Sequence, residues 1–231
     1  MNVAIIAAAG QGKRLGSKQA AKQFLELAGT PILLHTLRPF EHCEVIQEII
    51  LVLPAQDTAG FLALAQKAGL RKLAKIVTGG STRAESVWRG LLAIRPATAE
   101  IVAVHDGVRP FVTSGEVAQT VEAAKVHEAA ILVAPVTDTI KDVEHGAVVR
   151  THTRSQMRRA LTPQCFRYEL LRRAYEEIDV MDSGLTDDSM IVERLGVRVA
   201  TVEGNPRNIK ITSKEDLAVA EVLFKEMDLG I

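Results

Sequence analysis

The chain has 231 residues, of which 47% are hydrophobic and only 4% aromatic, and its 28 Lys and Arg balance 28 Asp and Glu. This aliphatic content suits one large domain or two small ones with a buried core, and it excludes a disordered chain. Zero net charge disfavours a general nucleic-acid binder, which normally carries a basic excess. Apolar runs shorter than the ~20 residues that span a bilayer, and a start without a charged signal segment, predict a cytoplasmic protein that binds neither membranes nor nucleic acid.

The first 136 residues alternate short apolar runs with amphipathic helical stretches. The predicted strands, which are apolar on both faces as in a buried parallel sheet, are Val3–Ala7, Ile49–Leu53, Lys75–Val77, Ile101–Val104 and Ile131–Ala134. The predicted helices between them are Pro31–Phe40, Thr58–Ala68, Thr82–Ala93 and Ser114–His127. This alternation predicts an α/β fold with a mostly parallel sheet and right-handed crossovers.

The alternation stops after Pro135. Residues 138–143 and 147–151 flank Glu144-His145-Gly146 and predict a β-hairpin. It has too little apolar surface to be stable alone, so we interpret residues 137–153 as an arm that packs against another element, such as a second subunit. The predicted elements after the arm are helices near Arg167–Ile178 and Asp187–Leu195, a strand at Val197–Val202 and a helix at Ser213–Met227. A single domain over residues 1–231 with one arm is the simplest division.

The segment after the first strand has the composition of a phosphate-binding loop. Small residues that let the backbone approach a phosphate stand at Ala8, Ala9, Gly10 and Gly12. Cations follow at Arg14, Lys18 and Lys22. Ligands of open α/β sheets bind beyond the carboxyl ends of strands, which is where this segment lies. It matches neither the dinucleotide fingerprint nor the P-loop, and an ordinary tight turn is the alternative.

Two further strands are followed by candidate binding residues. Gly79-Gly80 precedes Ser81 and Ser86 at a helix start, which suits a base or ribose, or simply a capped helix. At the end of the fourth strand, Asp106 suits a Mg²⁺ or ribose contact, and Arg109 suits a phosphate. The alternative for these two residues is a buried ion pair, and we expect His105 beside them to be structural.

The second half of the chain adds further candidates. Asp138-Thr139-Ile140-Lys141 begins the arm, and Arg154, Arg158 and Arg159 follow it. Thr186-Asp187-Asp188 is typical of a helix cap with acids in the first turn. Residues 208–212 resemble an edge strand, in which apolar neighbours would direct Lys210 towards a fixed target.

Taken in order, these motifs resemble those of the 2-C-methyl-D-erythritol 4-phosphate cytidylyltransferases of the non-mevalonate isoprenoid pathway. The motifs in the first half are Ala8-Ala9-Gly10-x-Gly12-x-Arg14, Lys22-Gln23, Gly79-Gly80-x-x-Arg83-x-x-Ser86-Val87 and His105-Asp106-x-x-Arg109-Pro110. Those in the second half are Ala134-Pro135-Val136-x-Asp138-Thr139-x-Lys141, Leu161-Thr162-Pro163-Gln164, Thr186-Asp187-Asp188 and Asn208-Ile209-Lys210-x-Thr212.

The resemblance implies a doubly wound, Rossmann-like nucleotidyltransferase domain that uses CTP, a polyol phosphate and Mg²⁺, and a homodimer joined through the arm. The implied nucleotide-binding residues are Ala8, Ala9, Gly10, Gly12, Gly80, Ser81, Ser86 and Asp106. The implied catalytic residues are Arg14, Lys22, Arg154 and Lys210, with Arg154 reaching the site of the partner subunit. The implied substrate-binding residues are Asp106, Arg109, Thr139 and Thr162, and Asp106 is also the metal ligand.

Two other functions stay open at this point. A ribitol 5-phosphate cytidylyltransferase would share the chemistry and a related fold. A non-catalytic nucleotide-binding module would bind CTP without releasing pyrophosphate. A sugar-1-phosphate nucleotidyltransferase is disfavoured, because its longer G-x-G-T-R-L run is absent from this sequence.

Overall fold

The computed structural model describes residues 1–10, 22–182 and 184–228. The strands in these residues are β1 (Asn2–Ala7), β2 (Glu26–Leu27), β3 (Thr30–Pro31), β4 (Glu48–Leu53), β5 (Leu73–Thr78), β6 (Ile101–Asp106), β7 (Ala129–Pro135), β8 (Lys141–Glu144), β9 (Ala147–Thr151), β10 (Arg158–Arg167) and β11 (Ala200–Glu203). The helices are α1 (Ile32–His42), α2 (Thr58–Lys67), α3 (Arg83–Leu92), α4 (Ser114–His127), α5 (Tyr168–Glu176), α6 (Asp188–Glu193) and α7 (Lys214–Asp228).

Seven strands form one central sheet in the order β11-β7-β10-β6-β1-β4-β5. Neighbouring strands are parallel at β11–β7, β6–β1, β1–β4 and β4–β5, whereas β10 runs antiparallel to both β6 and β7. The predicted α/β fold with a mostly parallel sheet is confirmed. β1 lies near the middle of the sheet, so Ala8, Ala9 and Gly10, which follow it, lie at the central part of the carboxyl edge.

Apolar helix faces cover both sides of the sheet. Alternate residues of β1 divide between two cores, with Ala4 and Ile6 facing one and Val3 and Ile5 facing the other. The first core is completed by helices α1, α2 and α4, and the second by α3, α5 and α6. This two-sided burial explains why the parallel strands appear in the sequence as continuous apolar runs. None of the described helices is both long and apolar enough to cross a membrane.

β10 is the main element that sequence analysis does not predict. It inserts between β6 and β7 and contains Pro163, and a proline normally argues against a central strand. The pairing with β7 shifts register between Ala160 and Gln164, so the proline falls where the ladder is already interrupted. The peptide bond between Thr162 and Pro163 is cis.

The edge strand predicted over residues 208–212 is wrong. The segment is irregular, and its Ile211 N–H donates to the carbonyl of Val108 at 2.9 Å. Ile211 is fully buried in a small cluster with Phe111 and Leu27. This buried side chain and this backbone bond help to hold the segment against the loop after β6, and no strand ladder is needed.

The predicted arm is present as the two-stranded antiparallel hairpin β8–β9, in which Lys141 pairs with Thr151. It leaves the sheet at the end of β7 and returns through β10. Val143 and Val148 are each 60% exposed and Val149 is 53% exposed. Within this chain the arm therefore leaves apolar side chains uncovered.

The loops after β1 and β5 meet above the end of β4. The N–H of Ala8 donates to Val52 O at 2.9 Å, and the N–H of Gly79 donates to Leu53 O at 2.8 Å. A Cβ added to Gly79 would lie 2.1 Å from the Cβ of Ala9. Glycine at this position is therefore needed for the two loops to approach each other.

We expect Gly79→Ala to lower the free energy of unfolding by about 2 kcal/mol, as overpacking of a tight contact does. Gly80→Ala is the matched control, because the three atoms nearest to its added Cβ all belong to the side chain of Glu85 and none to the loop after β1. Denaturant unfolding of both variants measures the difference. Equal losses would show that the contact between Gly79 and Ala9 does not restrict the loop.

Candidate active site

The carboxylate of Asp106 lies at the end of β6, is 6% exposed and is surrounded by three cationic groups. The Nε of Arg83 lies 3.1 Å from Oδ1, and the Nε of Arg109 lies 3.3 Å from Oδ2. The Nζ of Lys210 lies 2.9 Å from Oδ2. The side chain of Asp106 thus connects three segments: the start of α3, the loop after β6 and the segment before α7.

The charges around Asp106 determine its protonation state. Burial alone would raise the pKa of Asp106, because the carboxylate loses its hydration. The cations of Arg83, Lys210 and Arg109 outweigh burial and hold this pKa well below its usual range. Asp106 therefore stays ionised near neutral pH. The ion pair between Asp106 and Arg109, given above as an alternative interpretation, is present.

Arg109 and Lys210 are positioned by the contact between their two segments. The Nη1 of Arg109 donates to the carbonyl of Asn208 at 2.8 Å, which links the loop after β6 to residues 208–212. The side chain of Lys210 is 39% exposed. Its ammonium is therefore held by Asp106 and remains accessible to solvent. Contact of Lys210 with a substrate stays a prediction.

Arg83 is the first residue of α3, and sequence analysis assigns it no role. Its Nη2 lies 2.8 Å from Oδ2 of Asp188, which is fully buried. The phenol of Tyr175 donates to Oδ1 of the same carboxylate at 2.6 Å. A cation in the first turn of a helix is unfavourable beside the helix dipole. The position of Arg83 in the sequence therefore indicates that it needs carboxylate partners. It does not indicate which carboxylates these are.

Gln164 of β10 fixes the start of α6 and so the position of Asp188. Its Oε1 accepts the backbone N–H groups of Asp188 and Ser189, both at 3.0 Å. Its Nε2 donates to Oδ2 of Asp187 at 2.8 Å, and Oδ1 of Asp187 accepts the N–H of Met190 at 3.0 Å. The predicted helix cap is therefore present at Asp187, and Gln164 is a functional candidate that sequence analysis left without a role.

His105 and Thr162 join β6 to β10 beneath Asp106. The Oγ1 of Thr162 accepts the N–H of Asp106 at 3.2 Å and lies 2.9 Å from Nδ1 of His105. The Nε2 of His105 lies 3.1 Å from the carbonyl of Arg109. His105 is fully buried and Thr162 is 4% exposed. His105 thus has the structural role that the sequence predicts. The Thr162 hydroxyl hydrogen-bonds within the protein, and its contact with a substrate stays a prediction.

The predicted nucleotide-binding loops lie at the same edge of the sheet. The N–H of Gly80 donates to Oγ of Ser86 at 3.1 Å, and this hydroxyl donates to the carbonyl of Thr82 at 2.8 Å. The N–H of Ser81 donates to Oε2 of Glu85 at 2.6 Å. Ser86 therefore organises the glycine loop, while the side chain of Ser81 is exposed. Ala8, Ala9 and Gly10 follow β1 at this edge.

Two further predicted residues lie at the arm. Thr139 is exposed, and Nη1 of Arg154 donates to the carbonyl of Thr137 at 3.1 Å. Arg154 lines an open hollow of about 540 Å³ at the base of the arm, together with Pro135, Val136, Thr153, Ser155 and Arg158. Their predicted roles stay predictions. Gly12, Arg14 and the side chain of Lys22 lie outside the described residues.

Asp106 is the predicted metal ligand. Among the described residues there is no group of three or more His, Cys, Asp or Glu that could hold a metal ion. Mg²⁺ is commonly bound by one or two carboxylates together with substrate phosphates, so a single carboxylate fits such a site only with a nucleotide present. The three cations within 3.3 Å of Asp106 oppose binding of a metal ion without that nucleotide.

Burial lowers the pKa of His105 to about 4, from 6.5 in the unfolded chain. Folding then requires a neutral imidazole, so the contribution of His105 to stability is complete above pH 6.5 and decreases towards pH 4. We expect the free energy of unfolding to fall by about 1.4 kcal/mol per pH unit in this window from this group. Denaturant unfolding between pH 6.5 and 5, without divalent ions, should show a shallower pH dependence for His105→Gln. If wild type and His105→Gln show the same pH dependence of the free energy of unfolding, the dependence does not come from His105.

Comparison with known proteins identifies the family. The sequence profile described as IspD, 2-C-methyl-D-erythritol 4-phosphate cytidylyltransferase, matches residues 2–226. A protein of that name from Pelotomaculum thermopropionicum is 42% identical over 224 residues, with 96% of this chain and 93% of that one covered. Another from Bacillus cytotoxicus is 43% identical over 221 residues, with 96% of each chain covered.

Solved structures of similar proteins share the fold. The crystal structure of 4-diphosphocytidyl-2C-methyl-D-erythritol synthase from Anaerococcus prevotii matches with a TM-score of 0.86 and 32% identity, covering 97% of this chain and 96% of that one. The cytidylyltransferase from Thermus thermophilus matches with a TM-score of 0.77 and 35% identity, covering 96% and 98%. The predicted Rossmann-like fold of nucleotidyltransferase type and the enzyme class are therefore confirmed. The chain belongs to the 2-C-methyl-D-erythritol 4-phosphate cytidylyltransferase family.

Proposed function

We propose that this chain transfers a cytidylyl group from CTP to 2-C-methyl-D-erythritol 4-phosphate in the synthesis of isoprenoid precursors. The products are 4-diphosphocytidyl-2-C-methyl-D-erythritol and pyrophosphate. Family membership supports the substrates, and the names of the relatives favour methylerythritol over ribitol. The observation that carries the proposal is the group of three cations held on buried Asp106 at the carboxyl edge of the sheet.

The reaction needs no general base. The nucleophile is a phosphate oxygen of the polyol phosphate, and a phosphate monoester with a second pKa of about 6 is mostly dianionic at neutral pH. This oxygen forms a bond to the α-phosphorus of CTP, and the bond from that phosphorus to the bridging oxygen of the β-phosphate breaks. The electron pair leaves with pyrophosphate. Burial keeps the imidazole of His105 neutral at pH 7. The proposed reaction does not use this imidazole as a base.

The main barrier is repulsion between two polyanions. Two unit charges at 4 Å repel by roughly 4 kcal/mol at an effective dielectric constant of 20. The three cations around Asp106 outnumber the two carboxylates, Asp106 and Asp188, so the group has a net charge of +1. In our proposal Lys210 and Arg109 attract the polyol phosphate, and Arg14 and Lys22 hold the phosphates of CTP. Fixed cations of this kind stabilise charge in the transition state of phosphoryl transfer.

Mg²⁺ is part of the proposal as an ion that binds together with CTP. Asp106 would hold it from the side of the enzyme, and phosphate oxygens and water would complete its ligands. When bound, the ion neutralises part of the triphosphate charge. The backbone of Ala8, Ala9, Gly10 and Gly12 would lie along the phosphates, and Gly80, Ser81 and Ser86 would face cytosine and ribose.

A pyrophosphate-release assay with four nucleoside triphosphates and two polyol phosphates tests this function. We expect release only with CTP and 2-C-methyl-D-erythritol 4-phosphate, and loss of release when a chelator removes divalent ions. Release with ribitol 5-phosphate at an equal rate would assign the substrate differently. CTP binding without release under all conditions would identify a nucleotide-binding module instead.

The proposed active enzyme is a homodimer joined through the arm. The exposed valines of β8 and β9 are the apolar surface that a second copy would cover. Arg154 lies at the base of this arm, where its Nη1 donates to the carbonyl of Thr137, and in the proposed dimer it would act in the site of the partner subunit. Thr139 and Thr162 would complete the polyol phosphate site.

Subunit mixing tests the shared site. We expect Lys22→Ala and Arg154→Ala each to lower turnover by orders of magnitude, because each removes a cation from the proposed phosphate sites. A mixed dimer of the two variants would contain one intact site, so random exchange should restore roughly a quarter of the wild-type activity. The double variant Lys22→Ala, Arg154→Ala, mixed with itself, is the control. No recovery in a mixture shown to exchange subunits would contradict the arrangement.

A further inference from the structure

The two tyrosines of this chain lie on one helix and face different partners. Tyr168 and Tyr175 are both in α5 and are 1% and 2% exposed. The hydroxyl of Tyr168 accepts Nη1 of Arg172 at 3.0 Å, within α5 and away from the candidate site. The hydroxyl of Tyr175 instead donates to Asp188 at 2.6 Å. The second contact connects α5 to the group around Asp106.

We propose that Tyr175 is a positioning residue for cytidylyl transfer, acting through Asp188 and Arg83 on Asp106. The proposal rests on the proposed function above. The phenol holds Oδ1 of Asp188, and Oδ2 of Asp188 holds Nη2 of Arg83 at 2.8 Å. The Nε of the same guanidinium lies 3.1 Å from Asp106. The contacts thus form a continuous line from the helix layer to the carboxylate that binds Arg109 and Lys210.

The geometry leaves the Tyr175 ring little freedom. Its ring is stacked on Trp88 of α3, with centroids 5.8 Å apart and planes 5° from parallel. Burial, and next the charge of Asp188, raise the pKa of Tyr175 well above its usual value, so its hydroxyl keeps its proton and remains the donor. The ring is therefore fixed by packing, and the hydroxyl is fixed by one carboxylate oxygen.

The consequence for Arg83 follows from how the guanidinium is held. It makes one contact to Asp188 and one to Asp106, so a rotation of the Asp188 carboxylate shifts the guanidinium and, with it, Asp106. Without the phenol, Oδ1 of Asp188 loses its 2.6 Å donor while the backbone of Asp188 stays held by Gln164. Small displacements of positioned groups are costly in reactions that depend on alignment.

Tyr175→Phe and Tyr168→Phe form a matched pair that tests the proposal. Each removes one buried hydroxyl from α5 and keeps the ring. We expect Tyr175→Phe to lower kcat about tenfold, because small misplacements far from the reacting atoms slow reactions that depend on alignment, with the KM for CTP within twofold of wild type. Tyr168→Phe should keep wild-type kcat. Emission of Trp88, the single tryptophan, should be the same in wild type and both variants, which reports that the stacked rings stay in place.

A double-mutant cycle separates positioning from general loss of stability. If Tyr175 acts through Asp188, then Asp188→Asn should lower kcat, and adding Tyr175→Phe to it should cause little further loss. Equal kcat for the two tyrosine variants, or multiplicative losses in the cycle, would overturn the proposal. If Tyr175→Phe fails to fold, an unchanged kcat for Asp188→Asn would overturn it as well. An inactive wild-type protein would instead overturn the proposed function.

Discussion

One buried carboxylate organises the candidate active site. Asp106 binds Arg83, Arg109 and Lys210 at once, and these cations come from three separate parts of the chain. Without a carboxylate between them the three groups would repel one another, and the segments that carry them would have no common point of attachment. A charge buried with its partners is costly to disrupt, because removal of one partner leaves the others uncompensated. The same interaction therefore holds the loops together and keeps positive charge where, in the proposed reaction, two polyanions would meet.

The strands and helices that build the parallel part of the sheet could be predicted from the sequence. Strands such as Ile49–Leu53 are buried on both faces, and this produces an unbroken apolar run that is easily recognised. β10 could not be predicted in the same way, since its sequence RRALTPQCFR contains Pro163 and no apolar run, and it pairs with strands that lie well before it in the chain. At residues 208–212 a strand was predicted where none exists. Alternating apolar residues are also found where one side chain, here Ile211, is buried in an irregular segment.

The site was predictable where its residues share a motif. Asp106 and Arg109 are three residues apart, and their ion pair follows from a strand end and the turn after it. Arg83 and Asp188 are 105 residues apart, and no local pattern relates them. Their pairing depends on how α3 and α6 pack against the same face of the sheet. The sequence could suggest that each needs a partner, but tertiary packing selects the partner.

The arm has a further consequence for how this fold tolerates change. Pro135 at the end of β7 is paired directly with Arg158 at the start of β10, so the chain leaves and re-enters the sheet at adjacent points. The segment between them, residues 136–157, can differ in length without altering the register in which β7 and β10 pair. Insertions, deletions or substitutions within this segment can therefore change the arm while the pairing of β7 with β10 stays the same.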